Sequence, residues 1–192
     1  GGLLTPEEDK QTFKIDTRSG IITTRTQLDR ETSEVFTLIV TANDLASPAT
    51  ERKTATATVV VRVADENDHY PQFSERHYTV DVSEDDTGSN NVIAHVMATD
   101  ADKGNNAAIR YSIVGGNPKS EFAIDSMSGE VTLTKPLDYE AMKSYRLVVR
   151  AQDGGTPPKT NTTTLSVNVI DFNDNAPRFY SSQIQETVLE SV

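Results

Sequence analysis

Asp29 and Glu31 stand two residues apart, as do Asp138 and Glu140, and as do Asp100 and Asp102. In an extended segment that spacing sends both carboxylates to the same side. Asp65-Glu66-Asn67-Asp68-His69 and Asp171-Phe172-Asn173-Asp174-Asn175 share an Asp-x-Asn-Asp pattern, and each is followed by a proline, Pro71 and Pro177. Asp44 and Asp153 each close an alternating apolar run. Acids packed this densely repel: two like charges ~4–5 Å apart cost roughly 3–4 kcal/mol at an effective dielectric of about 20. Few Lys or Arg lie close in sequence to neutralise them. The chemistry that fits is capture of a hard divalent cation. Calcium takes about 6–8 oxygens from carboxylates, amides and backbone carbonyls in a flexible shell, whereas magnesium demands a tight octahedron and keeps its waters. A polar linker ended by proline accounts for one such stretch. It does not account for the recurrence of the same companions.

The rest of the composition narrows the field. Among 192 residues the formal net charge is −11, so a basic face for a nucleic-acid backbone is missing. With no cysteine there is no disulfide framework, thiolate metal site or thiol nucleophile. Three scattered His and no Trp remove most other catalytic constellations. No apolar run approaches the ~20 residues of a membrane span, and Gly1-Gly2-Leu3-Leu4 does not read as a signal peptide. Paired carboxylates could hydrolyse a glycoside, but these recur once per repeat at the ends of elements. The expectation is that the chain is not an enzyme.

The elements that position the acids come from a repeat. A constant offset of 109 residues carries Phe13-Lys14-Ile15-Asp16-Thr17-Arg18-Ser19-Gly20 onto Phe122-Ala123-Ile124-Asp125-Ser126-Met127-Ser128-Gly129, and Leu28-Asp29-Arg30-Glu31 onto Leu137-Asp138-Tyr139-Glu140. Nine of nineteen residues in 13–31 and 122–140 are identical, where chance gives about one. Within the second copy apolar residues alternate at Tyr78/Val80/Val82, Val92/Ala94/Val96/Ala98, Ile109/Tyr111/Ile113, Phe122/Ile124, Val131/Leu133, Tyr145–Ala151 and Leu165–Val169. Seven short strands separated by Gly, Pro, Asn and Asp predict an all-β, Greek-key β-sandwich with Val80, Val82, Val92, Ala94 and Val96 inside. In the first copy Phe36–Ala42 and Val59–Val63 repeat the last two strands, and Thr54, Thr56 and Thr58 read as a solvent face. Its upstream third has no counterpart before Phe13. Pro6-Glu7-Glu8-Asp9 could open a single helical turn. The organisation expected is a partial repeat over 1–68 with its first strands missing, a complete repeat over 69–175 and the opening of another over 176–192, a slice of a longer array.

These motifs resemble those of cadherin extracellular repeats. Ser83-Glu84-Asp85, Asp100-Ala101-Asp102, Leu28-Asp29-Arg30-Glu31 with Leu137-Asp138-Tyr139-Glu140, Asp44 with Asp153, and the two linkers match the family's xEx, DxD, LDRE, AxD and DxNDN set. The resemblance covers nearly the whole chain and implies three calcium ions in each linker. By position, the first linker would use Asp29, Glu31, Asp65, Asn67, Asp68, Asp100, Asp102 and Asp153, with Glu66, His69 and Asn106 acting through backbone carbonyls. His69 stands where the family has Asn. The second would use Glu84, Asp138, Glu140, Asp171, Asp174 and the Phe172 carbonyl, with Asn173 and Asn175 awaiting a following repeat. Asp44 and Glu190 belong to linkers outside the chain. The spellings are closer to non-classical cadherins and to the seven-pass Flamingo-type group. That implies calcium-dependent, homophilic adhesion with other cadherin ectodomains in planar cell polarity, on an extracellular surface anchored to the membrane through other regions. The alternative is a calcium-stiffened spacer that makes no adhesive contact itself. Asn161-Thr162-Thr163 is a glycosylation sequon, and His77 and His95 read as packing or surface residues.

Overall fold

The computed structural model describes residues 2–3, 11–44, 46–86, 91–179, 181, 183, 185–188 and 190. The helical turn expected at Pro6–Asp9 lies outside them. The chain forms two compact units: Gly1–Gln72 with Ala98–Arg110 and Ala151–Asn161, and Phe73–Met97 with Tyr111–Arg150 and Thr162–Val192. The acidic Asp100–Asp102 and Asp153 loops, which sequence assigns to the second repeat, are therefore part of the first unit.

In the first unit β1 (Gly2–Leu3), β4 (Val35–Asn43) and β5 (Thr54–Arg62) form a three-stranded sheet in the order β1-β4-β5, and β2 (Phe13–Ile15) pairs with β3 (Ile22–Thr24). β1 lies antiparallel to β4, Gly2 opposite Thr41 and Leu3 opposite Val40. The Gly2 N–H donates to Thr41 Oγ1 at 3.1 Å, and that hydroxyl donates to the Gly2 carbonyl at 3.0 Å. The expectation of no strand before Phe13 is corrected here. Backbone pairing needs no side-chain alternation, so periodicity could not show it. Leu38 and Phe13 are buried, and the Phe13 and Phe36 rings meet edge to face at 5.0 Å.

The second unit repeats this pair 109 residues on: Phe122 and Tyr145 also meet edge to face at 5.0 Å. Its strands include β7 (His77–Ser83), β8 (Asn91–His95), β10 (Arg110–Gly115), β11 (Phe122–Ile124), β12 (Glu130–Leu133), β13 (Ser144–Gln152) and β14 (Thr160–Ile170). β10-β13-β14-β7 make one sheet and β11-β12-β8 the other. β7 runs parallel to β14 in register from His77/Thr164 to Ser83/Ile170. β6 (Gln72–Phe73) and β9 (Ala98–Thr99) form a short further pair. Val96, Val131, Leu133, Leu147, Val149, Leu165 and Val167 are fully buried between the layers, each worth about 1.5–3 kcal/mol of transfer free energy. This all-β sandwich is the fold the alternation predicts.

Val92 departs from the pattern: it is 49% exposed. A register shift between Val131 and Thr132 sets Val131 opposite Ala94 but Thr132 opposite Val92. A bulge of this kind breaks the inward–outward alternation at the end of β8. In β5 both faces are exposed from Thr54 to Thr58, including Ala55 and Ala57, so the threonines do not mark one solvent face. Among the described residues no helix is long and apolar enough to cross a membrane.

Candidate metal centres

The LDRE and LDYE segments leave their hairpins as tight turns built on the aspartate. Asp29 Oδ1 accepts the Glu31 and Thr32 N–H groups at 2.9 and 3.2 Å, and its Oδ2 accepts the Thr32 hydroxyl at 2.8 Å. The Thr32 hydroxyl, then the backbone donors, hold the Asp29 carboxyl below the usual range. Asp138 does the same, accepting the Ala141 N–H at 2.8 Å. The turn thereby aims the glutamate two residues on.

In the first unit the ligand atoms of Glu31, Asp68, His69 and Asp102 all lie within 4.8 Å of one another. Asp102 is 5% exposed. Its Oδ2 accepts the His69 N–H at 3.2 Å, and its own N–H donates to Asp100 Oδ1 at 3.0 Å. The His69 Nδ1 sits 2.8 Å from Asp68 Oδ1 and 3.0 Å from Asp102 Oδ1. The hydrogen bond to Asp102, ahead of the one to Asp68, raises the pKa of His69. Asp65 accepts the Lys103 N–H at 3.0 Å and the Asn106 side-chain amide at 2.9 Å. Burial pulls the Asp65 carboxyl upward, but those two donors and Arg30 outweigh it and hold it low.

Arg30 corrects the expectation that too few basic side chains are near. Its guanidinium contacts both Glu31 and Asp65 and donates to the Ala101 carbonyl at 2.8 Å. The contact with Asp65 is an ion pair through Nε. Asn67 Oδ1 and Asp100 Oδ2 are buried oxygens without a hydrogen-bond donor among the described residues, whereas Asp65 Oδ1 faces the Arg30 guanidinium. Each such acceptor costs about 1–3 kcal/mol. Carboxylate and amide oxygens in that state suit a hard cation such as calcium.

Other expected residues have their own partners. Asp153 is 3% exposed, but its carboxylate faces its own loop, accepting from the Gly155 N–H at 2.9 Å and the Lys159 N–H at 3.0 Å. The Asn67 amide donates to the Pro157 carbonyl at 2.8 Å, against Gly155. The Glu66 carbonyl accepts the Asp68 N–H at 2.9 Å. Asp29, Asp65, Asp100 and Asp153 are therefore in the same unit as the four-residue cluster without being members of it.

In the second unit Glu84, Asp138 and Glu140 bring ligand atoms within 4.8 Å. Glu84 is 7% exposed, and its two oxygens accept the Tyr139 and Phe172 N–H groups, each at 2.6 Å. Asp171, Phe172, Asn173, Asp174 and Asn175 are exposed, with the Asn175 amide donating to Asp174 at 2.6 Å. Asn161 is half-buried and its amide nitrogen donates to the Pro71 carbonyl at 3.0 Å, while the Thr163 hydroxyl is buried on Arg76 O at 3.1 Å. His95 is exposed and its ring donates to the Ser128 carbonyl at 2.7 Å, a surface position within the expectation. Sequence reasoning missed Arg30 and the His69 ring. The one available signal was a basic residue between two acids in Asp29-Arg30-Glu31.

Two units with repeat-related strands, each carrying an acid cluster, have the make-up of a repeat module. The cadherin-domain family model matches residues 3–64 and 78–170, and the chain belongs to the cadherin family. It is 64% identical over 194 residues to the protocadherin-like wing polarity protein stan of Drosophila melanogaster, covering 100% of this chain and 5% of that protein. It is 50% identical over 182 residues to mouse cadherin EGF LAG seven-pass G-type receptor 1, covering 94% and 6%. The chain therefore spans only a small part of these relatives. Among solved structures, mouse cadherin-23 EC22-24 superposes with a TM-score of 0.77 at 35% identity, covering 89% of this chain and 52% of that one. The protocadherin gammaB7 EC3-6 cis-dimer structure gives 0.78 at 30%, covering 91% and 42%. Cadherin domains generally bind calcium and form the extracellular parts of plasma-membrane receptors, which are not enzymes.

Proposed function

We propose that this chain is a stretch of a seven-pass, planar-polarity adhesion receptor in which calcium fixes the linkers between successive repeats. The repeats would run over 1–68, 69–175 and 176–192. The observation that carries the reading is that Glu31, Asp68 and Asp102, far apart in sequence, meet in one cluster beside buried oxygens without donors. At the first linker Glu31, Asp68 and Asp102 would hold calcium with Asp29, Asp65, Asn67, Asp100 and Asp153, while Glu66, His69 and Asn106 offer carbonyls. At the second, Glu84, Asp138 and Glu140 would do so with Asp171, Asp174 and the Phe172 carbonyl. Asn173 and Asn175 would serve a following repeat. The bound cation supplies positive charge that turns mutual repulsion of these acids into cohesion. The protein's part is to hold the oxygens in place: Asp29 and Asp138 set the turns, and the Tyr139 and Phe172 N–H groups orient Glu84.

Calorimetric titration with calcium, and melting in chelator against millimolar calcium, test this. Extracellular calcium modules bind with Kd of roughly 10⁻⁴–10⁻³ M, and native-state binding adds about 1.4 kcal/mol at ten times Kd. No heat and no shift in Tm would end the calcium reading. The likeness to the stan protein and the seven-pass receptors supports a homophilic cadherin partner. Bead aggregation by this chain distinguishes adhesion from a spacer role. A glycan on Asn161 would share its amide nitrogen with the Pro71 bond, and the intact mass of secreted chain decides whether one is there.

A further inference from the structure

Arg30 occupies a place that its repeat-mate does not. The guanidinium side chain is 8% exposed, is in contact with Glu31 and Asp65, and donates to the backbone of the Asp100–Asp102 loop through the Ala101 carbonyl at 2.8 Å. A buried arginine normally satisfies its fork with aligned acceptors. Here Nε is in ion-pair contact with Asp65 Oδ1 while the other end of the fork reaches Glu31 and the Ala101 carbonyl. The arrangement is one positive charge held among several acids, paired with two of them. At the matching position the second copy has Tyr139, whose ring lies under the Lys143 ammonium at 4.8 Å. There Glu84 is satisfied by two backbone N–H groups and by no guanidinium.

We propose that Arg30 is a tethered counter-ion of the first cluster: it neutralises Glu31 and Asp65 when no cation is bound and competes with a cation for them. This rests on the calcium reading above. A fixed monovalent charge of this kind has two opposite consequences. Without a divalent ion it offsets repulsion among Glu31, Asp65 and Asp68 and keeps the Asp100–Asp102 loop attached. With the ion it opposes entry, because like charges in a partly desolvated site repel. Arg30 thereby lowers calcium affinity at the first cluster while protecting its fold at low calcium. The second cluster, with Tyr139, has neither effect.

The test uses the 192-residue chain and the variants Arg30→Gln and Arg30→Lys, with calcium as the probe. Arg30→Gln should melt several degrees lower than wild type in chelator, yet bind calcium at the first cluster about three- to tenfold more tightly by calorimetry. Arg30→Lys, which keeps the charge, should stay within about twofold of the wild-type Kd. An unchanged or raised Tm of Arg30→Gln in chelator overturns the counter-ion role. Weaker or unchanged calcium binding by Arg30→Gln overturns the competition, as does an Arg30→Lys variant that tightens as much as Arg30→Gln. If wild type itself gives no calcium heat, the calcium reading fails and the competition with it, whereas the chelator melt still decides whether Arg30 holds the acids.

Discussion

Asp102 and Asp44 carry the same carboxylate in opposite surroundings. Asp102 is 5% exposed, is bonded to both the N–H and the ring of His69, and belongs to the four-residue cluster. Asp44 is exposed, and its Oδ1 accepts only the N–H groups of Ala46 at 3.3 Å and Lys53 at 3.1 Å among the described residues. Asp102→Asn should lower calcium affinity at the first cluster by about tenfold or more, and Asp44→Asn should leave it within about twofold. Calorimetry on both variants checks this, and equal losses would mean that the ligand assignment is wrong. Asp102 was legible as part of a repeated acidic pattern, but not by the extended geometry expected. Residues 101–102 bend, the Asp102 N–H donates to Asp100 Oδ1, and only Asp102 of the two joins the cluster. The His69 ring between Asp68 and Asp102, and Arg30 between Glu31 and Asp65, were not legible. The His69–Asp102 and Arg30–Asp65 contacts join residues more than thirty apart, and only the folded loops bring them together.

At the scale of elements, the two copies build the same strands with different support. Gly20 and Gly129 are repeat-mates with φ of +74° and +78°. A Cβ at Gly20 would meet nothing within 4 Å, whereas one at Gly129 would overlap the Val96 carbonyl oxygen and crowd Tyr111. Gly20→Ala should cost about 1 kcal/mol for the left-handed backbone alone. Gly129→Ala should cost at least ~1 kcal/mol more for the overlap. Urea unfolding of the two variants measures the difference. β13 and β14 bury Leu147, Val149, Leu165 and Val167 completely, and β14 has β7 alongside. In the first copy Leu38 is the fully buried residue of β4, and β5 is the outer strand of its sheet. Amides of Val35–Asn43 should therefore exchange about tenfold faster or more than those of Ser144–Gln152. Comparable protection would show that the first sheet opens as rarely as the second. Strand positions were readable from period-two alternation, but β1 and the bulge opposite Val92 were not. Both depend on backbone pairing, to which side-chain type is blind.

The whole molecule carries a net charge of −11, and its densest acids are gathered into clusters. In chelator, raising ionic strength shortens the Debye length from about 30 Å at 10 mM to about 8 Å at 150 mM and screens that repulsion. Melting should rise with NaCl in chelator and hardly move in saturating calcium, where the clusters are neutralised. A salt response equal in both conditions would show that repulsion within the clusters does not limit stability. The first cluster also has a consequence for inheritance. On the proposed repeat bounds Glu31 and Asp68 come from one copy and Asp102 from the next, so a copy would hold part of a cluster at each end. A gene segment cut in that frame and duplicated in tandem meets its own complement at the new seam. On those bounds every added copy would create one more complete cluster without any new residue having to arise. Lengthening such an array is then a matter of counting copies, and losing one copy also leaves no half-cluster stranded in the interior.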